Sequence, residues 1–187
     1  MQPARVHVGP MVDSDTSVAA PLRLYRATVR PEWVDYNGHM SEWCFLLVMG
    51  ESSDAFFRYV GIDEHYRSAG ASLFTVETHI RNLVEVGAGD ELSLALHVLA
   101  VDAKRIHLTH EVTRRDGSLA ATGEQLLLHV DTTAGRVAPI LSQVRHRLDR
   151  VAQAHASLPR PDWIGHVMQI PEPGPTPEKG SAAWTSS

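Results

Sequence analysis

Residues 43–49, WCFLLVM, are seven apolar side chains in unbroken succession, and this run limits the fold more than anything else in the chain. Ser41 ahead of it suits an N-cap, Glu42 suits the positive end of a first turn, and Gly61 suits the position just past a last turn. The spacing therefore predicts a helix over 41–60. A helix that is apolar all round its first half has to be wrapped on most sides. Its second half, ESSD at 51–54, is polar and belongs nearer solvent.

The remaining segments supply the wrapping. LRLYRATVR (22–30) alternates and is rich in β-formers, and Pro31 stops it. After the loop 61–72 the period changes to two. LFTVETHIRNLVEV (73–86) sets Phe74, Val76, Ile80, Val84 and Val86 on one face and Glu77, His79 and Arg81 on the other. GAGD (87–90) is a turn, and Leu92, Leu94, Leu96 and Val98 line one face of the next strand. Lys104 and Arg105 mark a break, and Ile106, Leu108 and Val112 face inward on the strand that follows. RDGS (115–118) contains an Asp-Gly hairpin turn, and LAATGEQLLLHVD (119–131) is the last long strand. One strand, one buried helix and four consecutive strands on short turns specify a largely antiparallel sheet curled around a single helix, an α+β arrangement.

PILSQVRHRLDRVAQAHA (139–156) has Ile140, Val144, Leu148 and Val151 at helical spacing, which predicts an amphipathic C-terminal helix. The domain is expected over 21–157, after a flexible lead-in at 1–20. Residues 158–187 read as a largely disordered tail with Pro at 159, 161, 171, 173, 175 and 177, in which WIGHVMQI (163–170) is the part able to dock.

A chain of 187 residues has room for one good-sized core. No apolar run is long enough to span a bilayer, and the first residues show no secretory h-region. The single Cys44 cannot form an internal disulfide, so a cytoplasmic, non-membrane protein is expected. A net charge of -5 without a basic stripe argues against nucleic acid as partner, while leaving room for an anionic small molecule held by a few Arg and Lys. His107 and His110 are three apart on a strand and point to opposite faces, and there is no HExxH or Cys/His cluster, so no metal is expected.

The chemistry concentrates in WVDYNGHMSEW (33–43). Asp35 lies six residues before the N-cap, and Gly38 lets the loop turn sharply. A helix N-terminus offers unpaired N–H groups that can hold a developing oxyanion, here those of Met40, Ser41, Glu42 and Trp43. Asp35 would attack an activated carbonyl or activate water, with Asn37 and His39 holding water, orienting Asp35 or touching the acyl group. The same Asp, Asn, Gly and Ser also suit an ordinary turn and cap, and the spacing alone leaves that open.

VDYNGHMS (34–41), VEVGAGDELSL (84–94) and ATGEQLLLHVD (121–131), in this order, resemble the hot-dog-fold family of 4-hydroxybenzoyl-CoA thioesterase-like proteins over about residues 22–132. WVDYNGHMSEW and GEQLLLHVD are further similar to the betainyl-CoA thioesterases of carnitine breakdown, which also occur fused to L-carnitine dehydrogenase. The resemblance implies a hot-dog sheet around one helix and a catalytic carboxylate at Asp35. It implies no cofactor, with coenzyme A as part of the acyl-CoA substrate. It also implies a homodimer or dimer of dimers with sites between subunits, and a functional link to L-carnitine dehydrogenase. Asn37 and His39 depart from many relatives.

A betainyl group carries a quaternary ammonium, which aromatic faces and a carboxylate recognise. Trp33, Tyr36 and Trp43 are the cage candidates. Glu124 and His110, placed on the apolar faces of their strands by the parity of their neighbours, are further substrate-binding candidates. Arg58, Arg81, Lys104 and Arg105 are candidates for the phosphates of coenzyme A. Beside betainyl-CoA hydrolysis stand a generic 4-hydroxybenzoyl-CoA-type thioesterase, a hot-dog enoyl-CoA hydratase and a non-catalytic acyl-CoA-binding domain.

Overall fold

The computed structural model describes residues 17–168. The expected lead-in and tail fall largely outside them. The elements run β1 (Leu22–Thr28), a 3-10 turn (Pro31–Trp33), α1 (Glu42–Tyr59), α2 (Glu64–Ser68), β2 (Ala71–Asn82), β3 (Glu91–Val101), β4 (Arg105–Arg114), β5 (Leu119–Asp131), β6 (Arg136–Val137) and α3 (Ser142–His155). The sheet has the order β1-β3-β4-β5-β2 with β6 added to β5, and every pairing is antiparallel. It curls around α1, as the apolar run requires. The described residues contain no helix long and apolar enough to cross a membrane.

Two packed clusters follow one another along α1. Cys44, Phe45, Val48 and Met49 meet Tyr25, Trp33, Val86, Leu94 and Val112. Phe56 and Val60 meet Leu96, Ile106, Leu108 and Leu127, closed over by Ile140, Val144, Leu148 and Val151 of the α3 region. The apolar stripe of α3 read from the sequence is the face that docks. Met49 presses so closely on β5 that a Cβ at Gly123 would lie 2.4 Å from its sulfur, so any larger residue there requires the Met49 side chain to move. Between the clusters the Ser53 hydroxyl donates to Gln125 Oε1 at 3.0 Å and lies 3.0 Å from His110 Nε2.

Three expectations are corrected. First, α1 is not wrapped all round: Trp43, Leu46 and Leu47 are 57%, 47% and 37% exposed and form one stripe at i, i+3, i+4. Second, β5 faces the other way. Gln125, Leu127 and His129 point to α1, while Glu124 lies on the opposite face with Leu126 and Leu128. There Glu124 meets His107 Nε2 at 2.7 Å and accepts from Gly165 N at 2.7 Å. Third, a bulge between Thr75 and Glu77 switches the faces of β2. Ala71 and Leu73 point inward before it and Ile80 after it, leaving Phe74 and Val76 half exposed. Trp163 is buried, so part of the WIGHVMQI segment docks, and His166 stacks on His79.

Candidate active site

The loop before α1 is a miniature hairpin. Val34 and Met40 form an isolated bridge, Asp35 N donates to His39 O at 2.9 Å, and Ser41 N donates to Trp33 O at 2.8 Å. Gly38 N returns to Asp35 O at 3.0 Å, a turn that needs the φ of +83° adopted by Gly38. Tyr36, Asn37 and Gly38 are thus the exposed tip, and Asp35 and His39 face each other at its base. Asn37 N donates to Asp35 Oδ1 at 2.8 Å, which fixes the carboxylate's orientation and leaves Oδ2 for another partner.

Asp35, His39, Met40 and Glu42 open onto one cleft of about 290 Å³, floored by Phe45 and walled by residues 82–86. Its size suits a small acyl group with its thioester. His39 Nε2 lies 3.2 Å from Glu85 Oε2. Three carboxylates, Asp35, Glu42 and Glu85, therefore border the cleft against a single imidazole.

Of the four backbone donors read from the sequence, two are spent in the fold. Met40 N donates to Val86 O at 2.7 Å and Ser41 N to Trp33 O at 2.8 Å, ties that close the hairpin onto the sheet. Glu42 and Trp43 begin the helix, where position leaves their N–H groups without a carbonyl one turn back. These two amides, at the positive end of α1, are the ones a carbonyl oxygen at the cleft can use. Cys44 is no rival nucleophile, since it is buried, its Sγ lies against Trp33 O, and burial pushes its thiol pKa up.

The expected cage residues separate. Trp33 is buried in the core beneath the Arg30 guanidinium, 5.2 Å from its ring centre. Tyr36 is 96% exposed at the loop tip, and Trp43 projects from the first turn of α1. His110 faces α1 as expected, but it sits against Ser53, eleven residues into the helix and about 16 Å along its axis from Glu42. Its partners are Ser53 and Gln125, not Glu124, which is on the other face. Burial pushes the His110 pKa down to about 4.

The cation candidates divide in the same way. Arg81 lines a hollow of about 650 Å³ that shares Asn82 and Leu83 with the Asp35 cleft. Lys104 and Arg105 sit in the β3–β4 turn at the far end of the sheet, where Asp102 holds Arg105 at 2.6 Å. Arg58, in the last turn of α1, pairs with Asp54. The sequence reading missed Glu85 and the wall around it. The alternation in the sequence runs on to Val86, whereas β2 ends at Asn82 and 83–90 is a connection.

The profile of the thioesterase-like superfamily matches residues 29–148. The chain is 46% identical over 145 residues to an L-carnitine dehydrogenase/betainyl-CoA thioesterase of Agrobacterium fabrum, covering 78% of this chain and 30% of that protein. It thus spans about a third of that relative's length. To a betainyl-CoA thioesterase of Pseudomonas aeruginosa it is 40% identical over 152 residues, 80% of this chain and 96% of the other. A Staphylococcus aureus protein solved in complex with CoA shares the fold, with a TM-score of 0.77 at 24% identity over 83% of this chain and all of that one.

Proposed function

The chain belongs to the thioesterase-like superfamily, and on that premise we propose that it hydrolyses an acyl-coenzyme A thioester, with betainyl-coenzyme A as the substrate. The observation that carries this reading is the shared cleft. The carboxylate of Asp35, anchored through one oxygen, and the first turn of α1 open onto the same small space.

The thioester carbonyl oxygen takes the amides of Glu42 and Trp43. As water attacks the carbonyl carbon, Asp35 Oδ2 accepts its proton. The tetrahedral intermediate then collapses, the C–S bond breaks, and the proton passes to the departing thiolate, giving acid and coenzyme A. The same oxygen has a second route, direct attack with expulsion of the thiolate and hydrolysis of the resulting anhydride. Mass spectrometry of enzyme quenched during turnover separates the two, because an acyl adduct on Asp35 marks the second.

The acyl group follows from charge. Glu42 and Glu85 beside Asp35 make the cleft anionic, which favours a trimethylammonium and disfavours a carboxylate-bearing acyl chain. Tyr36 and Trp43 are exposed, each next in sequence to a residue of the cleft, Asp35 and Glu42, and are the candidates to supply aromatic faces. Their exposure, with the apolar stripe of Leu46 and Leu47 and the unpaired edge of β2, supports a homodimer in which a second copy completes the enclosure. The pairing of activities in the fused relative supports a link to L-carnitine dehydrogenase. A cytoplasmic setting, where Cys44 stays reduced, goes with this reading.

Thiol release tests it with betainyl-CoA, its uncharged isostere 3,3-dimethylbutyryl-CoA, and acetyl-CoA. Betainyl-CoA is expected to exceed the isostere by about tenfold or more in kcat/KM, the worth of one desolvated cation contact. Equal turnover of the two would remove the betainyl assignment, and no thiol from any of the three would remove the hydrolase.

A further inference from the structure

A second hollow, about 1060 Å³ against about 290 Å³ for the Asp35 cleft, lies elsewhere on the molecule. It lies against β1, the start of β3 and the end of β4. Arg26, Thr28, Arg30, Ser93, Arg114 and Arg115 line it, and Glu91 is its one carboxylate. These residues are far apart in sequence, and strand register gathers them. Arg26 pairs with Ser93 and Thr28 with Glu91, while the buried Ala27 and Leu92 between them point to the core. One guanidinium, two hydroxyls and the Glu91 carboxylate therefore share the outer face, Arg30 follows just past β1, and Arg114 at the end of β4 and Arg115 in the turn after it close the hollow.

The arginines are only loosely held. Arg114 lies 3.4 Å from Asp90 and 3.8 Å from Asp116, Arg115 lies 3.6 Å from Glu91, and Arg30 lies 3.9 Å from Glu32. These separations exceed the reach of a charge-assisted hydrogen bond and leave N–H groups to give, in contrast with Arg105, held by Asp102 at 2.6 Å. Among the described residues Arg26 has no carboxylate partner. Guanidinium forks beside hydroxyls are the chemistry of phosphate recognition.

The hollow and the cleft share one wall. Residues 84–86 face Asp35, and Ala88, Gly89 and Glu91 face the arginines. On the other side the chain runs from Arg30 through the Pro31–Trp33 turn directly into Asp35. We infer that this hollow receives the phosphate-bearing nucleotide end of the thioester whose acyl end lies at Asp35. The inference rests on the acyl-coenzyme A reading above and moves the phosphate contacts away from Arg58, Lys104 and Arg105.

The test compares a coenzyme A thioester with the phosphate-free pantetheine thioester of the same acid, on the full chain and on Arg26→Ala and Arg115→Ala, both at exposed positions. The variants are expected to raise KM for the coenzyme A thioester about tenfold, and to change KM for the pantetheine thioester less than about twofold. Added salt is expected to erode the wild-type preference for coenzyme A. Arg145→Ala, which removes one partly buried cation, paired with Asp149, from α3, separates local contact from bulk charge. Equal KM for the two thioesters in the wild type, or a loss of the same size in Arg145→Ala, overturns the inference and leaves the hydrolase standing. Calorimetry with adenosine 3′,5′-bisphosphate is the independent arm. Binding that Arg26→Ala weakens supports the hollow even if no thioester is turned over, an outcome that would sink the hydrolase alone. Binding that neither variant weakens overturns the inference.

Discussion

The C-terminal end of α1 is sealed and its N-terminal end is open, although the sequence makes the N-terminal half the more apolar. At the sealed end Phe56 and Val60 are covered by Leu148 and Val151 of α3, and even the polar groups are tied in. Tyr66 OH lies 2.8 Å from His129 Nε2, and His129 Nδ1 lies 2.9 Å from Ala138 O, which leaves the phenol as donor to the ring. His155 accepts from Val98 N at 3.0 Å through Nδ1, so its Nε2–H donates to Ala19 O. At the open end the first amides of α1, the Asp35 carboxylate and the Trp43–Leu47 stripe are left for something outside the single chain. One end holds the helix still, and the other uses the aim that this gives.

Substitution at each end should show the division. Asp35→Asn is expected to lower thiol release about 10³-fold, within the range for loss of a positioned acid or base. Its melting temperature should stay within a degree or two of wild type. A large fall in melting temperature would mean that the loop is structural and that the two ends do not differ as described.

Leu148→Ala should do the reverse. It empties a fully buried position on the docking face of α3 and is expected to cost about 2–5 kcal/mol in urea unfolding. KM of the remaining folded enzyme should be unchanged, and a rise would show that the ends communicate.

The buried polar link between the ends gives a pH signature. Burial pushes His110 down to about 4, with Ser53 and Gln125, neither of them charged, against its ring. The folded protein then binds fewer protons than the unfolded chain. The stability from a neutral His110 is full above about pH 6.5 and is lost as pH falls through the folded value near 4. Up to about 3 kcal/mol is at stake. Burial lowers His155 too, so it acts with the same sign. Unfolding followed from pH 7.5 to 4.5 should show the fall, and His110→Gln should flatten it; an unchanged slope would place the acid sensitivity elsewhere. The smallest effect belongs to Gly38→Ala. Space around Gly38 is open, so only the φ of +83° is strained, at about 1–2 kcal/mol. Activity should fall with it, because the same turn sets Asp35.

The fold was legible because its signals are local. An apolar run, Gly-bounded turns and alternation over 92–98 and 106–112 each specify an element without reference to any other. The errors arise where a pattern is degenerate or interrupted. Leu126, Leu127 and Leu128 carry no alternation, so their faces cannot be told apart, and the parity that groups Glu124 with Leu126 and Leu128 does not say that this is the outer face. Val76 sits in a bulge that no period reveals. The five residues of α2 are too short to show a helical period. At the site, Asp35 and the helix start are neighbours in sequence, so one short segment displays both. Glu85 reaches the cleft from the connection between β2 and β3, and the arginines of the second hollow come from β1, β4 and the residues just past them, which only the sheet brings together. The exposed stripe on α1 was invisible for a simpler reason: composition says that a surface is apolar, not what covers it.

The connection between β2 and β3 is held on both sides. Val86 O accepts from Met40 N, while Gly89 N and Asp90 O exchange hydrogen bonds with Val29 at 2.8 and 2.9 Å. It is a partition nailed to two rooms. A tenant that pushes it outward in one room narrows the other, so exchanging Val84 or Glu85 to admit a bulkier acid should be felt by whatever grips the far side, and by reciprocity the far grip should be felt at the acid. An engineer wishing to change the substrate would do better to trim the floor at Phe45 than to move that wall.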